Sequence, residues 1–477
     1  MKELHLSDLT AGDHAENALY SSRGELLIAE NALITQNHLN ALKRRNIELL
    51  YAKSPDDTDE IQVLLSKKFE NLDPWDDMDS GDAGQLDEGF NLDDEPEGES
   101  GADDHPRGAI RPPVLKDIRP GKEGLEQLNN STLSRSLDSE IDSGKVTDEP
   151  EGPRLREQAT QISPADRTDD YKQDVSFSYS GALKEITAIL TELAKGNIVD
   201  GGDLASIVER FVKIFVTDRN ILLNISGIKH TDDYLFNHCL NVCLLSINIA
   251  ASAGYSEKQI IEIGIGALVH DIGMLLVPES IRFQPGKLST DDWFEVQKHP
   301  VLGLHLLEKI RRLPESVRFI PYQVHERENS RGYPKQRHGR LINRYAKIVQ
   351  LADVFEAMSS PRSYRKAMLP FVCMQALLRM VKEHVISPDF IKAFISYTSL
   401  YPVGSLVMLN DYRIAKVIHA NESSYTKPVV NILTAPRNNA FDKKELCELN
   451  LKLEPQMRVI KALPVDYVKG AGTMDGF

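Results

Sequence analysis

The sequence has 477 residues, of which 41% are hydrophobic, and its formal net charge is −15. A chain of this length exceeds what one hydrophobic core normally supports, so we expect more than one domain. Of the 71 acidic residues, 15 lie in residues 69–104, which contain no Lys or Arg, and the remaining 56 balance the 56 bases. This balance argues against nucleic acid and against an anionic membrane surface as partners of the folded parts.

The N-terminus and the cysteines indicate the compartment. The opening residues Met-Lys-Glu-Leu-His lack a secretory pattern, and the four cysteines lack zinc-finger spacing: Cys239, Cys243, Cys373 and Cys447. We therefore predict a cytoplasmic protein. No apolar run approaches the roughly eighteen residues that span a bilayer, so we expect no membrane span. Cys239 and Cys243 are interpreted as small buried hydrophobes, although their helical spacing from His238 leaves a metal role open.

The first third of the chain predicts a small domain followed by a linker. Residues 1–53 have a hairpin pattern that turns at Ser22-Arg23-Gly24, and then helical periodicity from Asn37 to Asn46. We interpret them as a small α+β accessory domain. Residues 54–172 are rich in Asp, Glu, Gly, Ser and Pro and poor in aliphatics. Such a segment buries too little apolar surface to offset its ordering entropy, so we predict an acidic disordered linker.

The rest of the chain predicts a helical domain and then a β-domain. From Tyr179 onward, apolar residues recur at three- and four-residue intervals, and Gly196 is a plausible end for the first helix. Further helices are expected at 232–253, 256–270, 290–312, 340–358, 368–384 and 388–398. We assign residues 173–400 to the helical domain, 401–465 to a small β-domain of short alternating strands, and 466–477 to a flexible tail. The fold class is therefore mainly α.

Histidines and aspartates among the apolar helical runs mark the candidate site. Each is expensive to bury without a partner, and a transition metal is a common partner for imidazole and carboxylate groups. The set offers enough ligands for more than one ion and indicates hydrolysis at a metal centre: His238, His270, Asp271, His299, His325 and Asp353. Taken singly, each histidine has the alternative of a hydrogen-bonded core residue, and Asp353 that of a helix cap. His305 and His384 are interpreted as ordinary helical histidines.

Four separated motifs carry a family resemblance. They are ALVHDIGMLLVP (267–278), HPVLGLHLL (299–307), HERENSRGYP (325–334) and AKIVQLADVFEAMSSPRSYR (346–365). In order and spacing they resemble the HD-GYP family of cyclic di-GMP phosphodiesterases, within the HD superfamily of metal-dependent phosphohydrolases. The resemblance implies an HD-domain helical bundle that hydrolyses cyclic di-GMP in bacterial signalling.

The resemblance also implies roles for individual residues. Two divalent transition-metal ions, iron or manganese, would be held in two groups that share Asp271, which is also the expected catalytic residue. The first group would be His238, His270, Asp271 and Asp353, and the second would be Asp271, His299 and His325. Arg362, Arg365 and Tyr333 would bind the substrate. The loop Gly332-Tyr333-Pro334 is a possible contact for a signalling-protein partner.

Three departures from the family pattern leave alternatives open. Val324 stands where the family has the first of two adjacent histidines, Met274 replaces a lysine, and Asn329-Ser330 replaces Asp-Gly. Water or Glu326 could fill the vacant ligand position. One alternative is a degenerate, non-catalytic module that binds a metal or the dinucleotide. Another is a one-metal HD phosphohydrolase acting on a different nucleotide, which would have little need for the second group of ligands.

Overall fold

The chain divides into two compact units, residues 1–69 and 70–477. The computed structural model describes short stretches within residues 2–52, a few single residues, and residues 118–144, 148–160, 168–219, 234–284, 288–360, 367–421, 424–433 and 448–463. The predicted tail and the acidic run 69–104 lie outside these ranges.

The first unit contains a four-stranded antiparallel sheet of order β1-β4-β2-β3. Its strands are β1 Lys2–His5, β2 Leu19–Tyr20, β3 Leu26–Ile28 and β4 Leu49–Ala52. Strands β2 and β3 pair as the predicted hairpin requires, whereas its turn residues lie outside the described part of the chain. Most of the predicted helix at 37–46 lies outside it as well.

Helices dominate the second unit, as predicted. They are α1 Gly121–Asn129, α2 Thr132–Asp142, α3 Asp169–Ala194, α4 Gly201–Thr217, α5 Tyr234–Ser252, α6 Glu257–Val269, α7 Glu279–Arg282, α8 Thr290–Gln297, α9 His299–Leu307, α10 Phe319–Gln323, α11 Arg344–Ser359, α12 Pro370–Lys382 and α13 Ile391–Thr398. A short parallel pair joins β5 Val199–Asp200 to β6 Ile310–Arg311. Gly196 ends the segment after α3 with a φ of +87°, a conformation that glycine adopts without strain.

Two helical segments form the centre of the core. By length and mean hydropathy, Tyr234–Ser252 and Glu257–Leu276 could cross a membrane, so the expectation that no run approaches this size is wrong. Their windows are 89% and 72% buried inside the protein, which fits the core of a soluble domain. Since α5 is buried around nearly its whole circumference, any polar side chain on it needs a partner within the protein.

The helix predicted at 290–312 is instead two helices, α8 and α9. Ser289 caps α8, and the break falls at Lys298. Pro300 explains the break because it has no N–H to donate to the carbonyl of Val296 four residues earlier. That carbonyl instead accepts a hydrogen bond from His299 Nδ1 at 2.7 Å. The break therefore places His299 at the first turn of α9.

The prediction of a disordered linker over 54–172 is wrong for residues 118–144 and 148–160. This segment contains α1, α2 and a short 3₁₀ turn, Leu155–Glu157, and α3 begins at Asp169. Five of its aliphatic residues are buried, and the first four fall in two pairs at helical spacing: Leu125, Leu128, Leu137, Ile141 and Leu155. Acidic side chains of the same segment pair with arginines of the helical domain, as Glu140 does with Arg318 at 2.9 Å. The average composition of residues 54–172 shows neither the buried aliphatic residues nor these ion pairs.

The C-terminal β-domain is present as predicted. It is a five-stranded antiparallel sheet of order β10-β9-β8-β7-β11. Its strands are β7 Leu406–Leu409, β8 Ile414–His419, β9 Val429–Ile432, β10 Glu448–Asn450 and β11 Val459–Leu463. Leu406, Ile414 and Leu463 form one apolar cluster of this sheet.

Candidate metal centre

The structure brings the predicted ligands together from five segments of the helical domain. His238 lies on α5, Asp353 lies on α11, and His299 is the first residue of α9. His270 and Asp271 come directly after α6, and His325 comes two residues after the end of α10. Two groups have their potential ligand atoms within 4.8 Å of one another: His238, His270 and Asp271, and Asp271, His299 and His325. Asp271 belongs to both groups. The two-group arrangement with a shared carboxylate is therefore geometrically possible.

Backbone carbonyls orient two of the histidines. His270 Nδ1 lies 2.8 Å from the carbonyl oxygen of Ala267, and His299 Nδ1 lies 2.7 Å from that of Val296. Because a carbonyl only accepts hydrogen bonds, each Nδ1 carries a proton, and in the neutral imidazole each Nε2 then keeps its lone pair. Both Nε2 atoms are buried and have no hydrogen-bond partner within the described part of the chain. A cation would satisfy them, so the donor set fits a bound metal.

A carboxylate orients the third histidine, and sequence reasoning missed it. His238 Nδ1 donates to Glu356 Oε2 at 2.5 Å, and both side chains are buried. Asn241 and Ser360 donate to the other carboxylate oxygen, Glu356 Oε1, at 3.3 and 2.7 Å. Glu356 stands three residues after Asp353, on the same face of α11, and that spacing was the only signal for it.

The two aspartates lie among the imidazoles. Asp271 Oδ1 is 3.3 Å from Nε2 of both His299 and His325, and Asp271 Oδ2 is 3.8 Å from His238 Nε2. Burial raises the pKa of Asp271, but His270, His299 and His325 outweigh it and hold that pKa well below its usual range. Asp353 Oδ1 lies 3.1 Å from His238 Nε2. Both carboxylates are thus available in the charged form that a cation requires.

Tyr333 packs against the second ligand group. Its ring stacks on His325 with centroids 4.9 Å apart and an interplanar angle of 11°. Edge contacts with His299 and Trp293 surround the same ring at 6.0 and 5.8 Å. Tyr333, predicted to bind substrate, therefore holds His325 in place. Its neighbours Gly332 and Pro334 are buried, which leaves this loop little surface for a protein partner.

The vacant ligand position is not filled by Glu326. The two oxygens of its carboxylate accept the backbone N–H groups of Lys335 and Arg337, each at 2.7 Å. Burial raises the pKa of Glu326 to about 7. The suggestion that Glu326 replaces the missing histidine is therefore wrong, since this carboxylate fastens the loop that carries Tyr333. Val324 is fully buried, and Met274 is half-buried.

The remaining candidates fall outside the two groups. Arg362 and Arg365 lie in residues 361–366, outside the described part of the chain, so their role stays a prediction. His305 on α9 lies 3.7 Å from Glu308, in keeping with an ordinary helical histidine. Cys239 and Cys243 are buried free thiols and belong to neither ligand group, which favours the packing interpretation.

A glycine permits the close approach of the two ligand-bearing segments. A Cβ atom on Gly273 would lie 2.0 Å from the carbonyl oxygen of His299 and 2.7 Å from the backbone nitrogen of Gly303. No side chain fits in that space. The turn that follows Asp271 therefore packs backbone against backbone on α9, and this contact brings Asp271 and His299 together.

The paired His270-Asp271 and the buried helices around it define an HD-domain protein. Residues 228–388 match the family model described as an HD domain, and residues 406–470 match a KOW domain associated with HD domain. The ordered motifs and the relatives that follow are similar to those of the HD-GYP family, and this chain departs from the family motif at Val324 and Met274.

Relatives of this chain are named cyclic-dinucleotide phosphodiesterases. It is 27% identical over 271 residues to cyclic di-GMP phosphodiesterase PA4108 of Pseudomonas aeruginosa, covering 57% of this chain and 65% of that protein. It is 27% identical over 256 residues to 3'3'-cGAMP-specific phosphodiesterase 2 of Vibrio cholerae, covering 52% of this chain and 49% of that protein. The chain thus spans about half to two thirds of the length of these relatives.

A similar solved structure is Bd1817, an HDG"Y"P protein from Bdellovibrio bacteriovorus. It is 14% identical and covers 82% of this chain and 97% of that one, with a TM-score of 0.32. This score is too low to carry an argument, so the fold described above rests on the elements of this chain.

Proposed function

We propose that this protein is a metal-dependent phosphodiesterase that hydrolyses cyclic di-GMP in bacterial second-messenger signalling. The observation that supports this most is the pair of buried ligand groups that share Asp271. The orphaned Nε2 atoms of His270 and His299 call for a cation between them and the carboxylates. The names of the relatives favour a cyclic dinucleotide as the substrate class.

In this proposal, His238, His270, Asp271 and Asp353 hold the first ion, and Asp271, His299 and His325 hold the second. When bound, such ions lower the pKa of water toward 7 and stabilise the charge that develops on a phosphodiester. The chain supplies the orientation. Glu356 and the Ala267 and Val296 carbonyls fix the imidazole tautomers before an ion binds.

The chemistry of the donors bears on the identity of the ions. Imidazole nitrogen and carboxylate oxygen suit first-row transition metals, and no thiolate belongs to either ligand group in the described residues. We propose two ions, iron or manganese, in a cytoplasmic protein. Arg362 and Arg365 are proposed to bind the substrate phosphates, because guanidinium groups match phosphate oxygens in pairs.

A degenerate binding module is the second candidate, and Val324 favours it. Glu326 does not fill the vacant ligand position, because its two carboxylate oxygens accept backbone N–H groups of the neighbouring loop. The second ion would then be held by fewer protein groups. A protein with one firmly bound ion could still bind the dinucleotide without useful turnover and pass that state to a partner.

Metal analysis and turnover on one preparation test both candidates. The protein should be purified without oxygen, its metal content measured, and hydrolysis of cyclic di-GMP and of 3'3'-cGAMP followed by product separation. Metal-dependent hydrolysis of cyclic di-GMP that is lost in Asp271→Ala supports the enzyme. Binding of cyclic di-GMP without hydrolysis, at full metal load, supports the module. Preference for 3'3'-cGAMP would correct the substrate.

A further inference from the structure

Asp138 on α2 joins three side chains that lie far away in the sequence. Its Oδ1 accepts hydrogen bonds from Tyr322 Oη and Arg337 Nη2, both at 2.9 Å, and its Oδ2 lies 3.0 Å from Lys335 Nζ. The Asp138 side chain is 17% exposed, so these partners take the place of most of its water. A carboxylate in this position is a specific junction and not a solvated surface charge.

The partners of Asp138 lie on the two segments that flank His325, a member of the second ligand group. Tyr322 is on α10, three residues before His325. Lys335 comes two residues after Tyr333, whose ring stacks on His325. Asp138 therefore links the helix that presents the His325 imidazole to the loop that holds this imidazole from its other side.

The segment before α2 reinforces the same loop and the neighbouring ligand. Asn129 Nδ2 donates to the carbonyl of Pro334 at 3.0 Å, and Lys335 Nζ donates to the carbonyl of Asn129. Lys298, which directly precedes His299, donates from Nζ to the carbonyl of Arg119 at 2.9 Å. The segment 118–142 thus contacts residues near His325 and beside His299, two of the three members of the second group.

The first ligand group is oriented by other residues. His238 is held by Glu356, and His270 by the carbonyl of Ala267. Neither of these partners contacts α2 through a hydrogen bond or ion pair in the described residues. A perturbation at Asp138 should therefore act on the second group and spare the first.

We propose that Asp138 is a positioning residue for the second metal ion, and that α2 is an integral part of the centre. This inference rests on the metal centre proposed above, but not on the identity of the substrate. Loss of the Asp138 charge removes its ion pair with Lys335, which loosens the contact between Tyr333 and His325. Groups that orient ligands from outside the coordination shell typically contribute about 10- to 100-fold to metal affinity. We expect a loss of this size for the second ion alone.

Asp138→Asn and the matched control Glu140→Gln test the proposal in the full-length protein. Glu140 lies on the same helix and pairs with Arg318, but both side chains are more than a third exposed, at 35% and 37%. Manganese binding should be measured by calorimetric titration and by electron paramagnetic resonance of the free ion, with thermal unfolding recorded for each variant. In Asp138→Asn we expect the second ion to bind at least about 10-fold more weakly and the affinity for the first ion to stay unchanged. Glu140→Gln should bind both ions as the parent does.

Equal binding of both ions in Asp138→Asn and the parent would overturn the proposal. Equal loss of both ions would overturn it as well, because Asp138 would then support only the general fold. If Asp138→Asn does not fold, Lys335→Met replaces it, since that change removes the ion pair with Asp138 and keeps the bonds from Tyr322 and Arg337, and the same outcomes decide. A parent protein that binds fewer than two ions would instead refute the two-metal centre itself, and this inference with it.

Discussion

Glu356→Gln should weaken binding of the first metal ion by changing the tautomer of His238. Two donors, Asn241 and Ser360, face Glu356 Oε1 and would draw the amide oxygen of the glutamine to that position. Tyr179 fixes the direction of this network, because its hydroxyl donates to Asn241 Oδ1 at 2.9 Å. The amide NH₂ would then face His238 Nδ1 and donate to it. The imidazole proton moves to Nε2, where it blocks the ligand lone pair.

The magnitude follows from the kind of contact that is lost. The bond between His238 and Glu356 is buried and charge-assisted, and such partners typically contribute about 10- to 100-fold to metal affinity, or about 1.4 to 2.8 kcal/mol. Calorimetric titration with Mn²⁺ measures the effect. Glu308→Gln is the matched control, since Glu308 lies beside a histidine, His305, that is remote from both ligand groups. First-ion affinity within twofold of the parent in Glu356→Gln would refute the tautomer argument.

Three further predictions concern other parts of the molecule. Asp271→Ala should remove both ions, because this carboxylate belongs to both ligand groups, whereas His305→Ala should retain them; unchanged metal content in the Asp271 variant would contradict the assignment. Val324→His should raise the occupancy of the second ion and increase hydrolysis of cyclic di-GMP by about 10-fold. A parent protein that already holds two ions and hydrolyses cyclic di-GMP quickly would contradict this prediction. Burial raises the pKa of Asp148 above 3.8, so its contribution to stability is full below that pH and is lost as the pH rises through the folded-state pKa. Asp148→Asn should therefore raise the melting temperature at pH 7 and have no effect below pH 3.8; a lower melting temperature at pH 7 would argue that the contact of Asp148 with the Arg344 backbone N–H requires the charge.

The candidate metal ligands stood out in the sequence because of their surroundings. A histidine such as His238 is conspicuous in an apolar helix, where burial without a partner is expensive. Glu356 was not predictable in the same way. An acidic residue near the end of a helix is usually solvated, and only the packing of α11 on α5 places this one beside His238. Ligands are thus visible in the sequence, whereas the groups that orient them depend on tertiary contacts.

The folded part of the predicted linker was missed for a related reason. Its average composition is acidic and poor in aliphatics, which is the signature of disorder. The acids around Asp138, however, face arginines and lysines about 180 to 200 residues away, such as Arg337, so they are neutralised within the fold. Composition reports how many charges a segment has, but not whether their partners lie elsewhere in the chain.

The segment before the HD domain has a consequence for how such domains are exchanged between proteins. The family match begins at residue 228, yet the compact unit already includes α1 and α2, which bury Leu128 and Leu137. A fragment cut at the family boundary would leave apolar surface uncovered and would separate Lys335 from Asp138. A fusion that preserves this domain must therefore carry the chain from about residue 118. In this protein the structural unit is longer than the stretch that the family model matches.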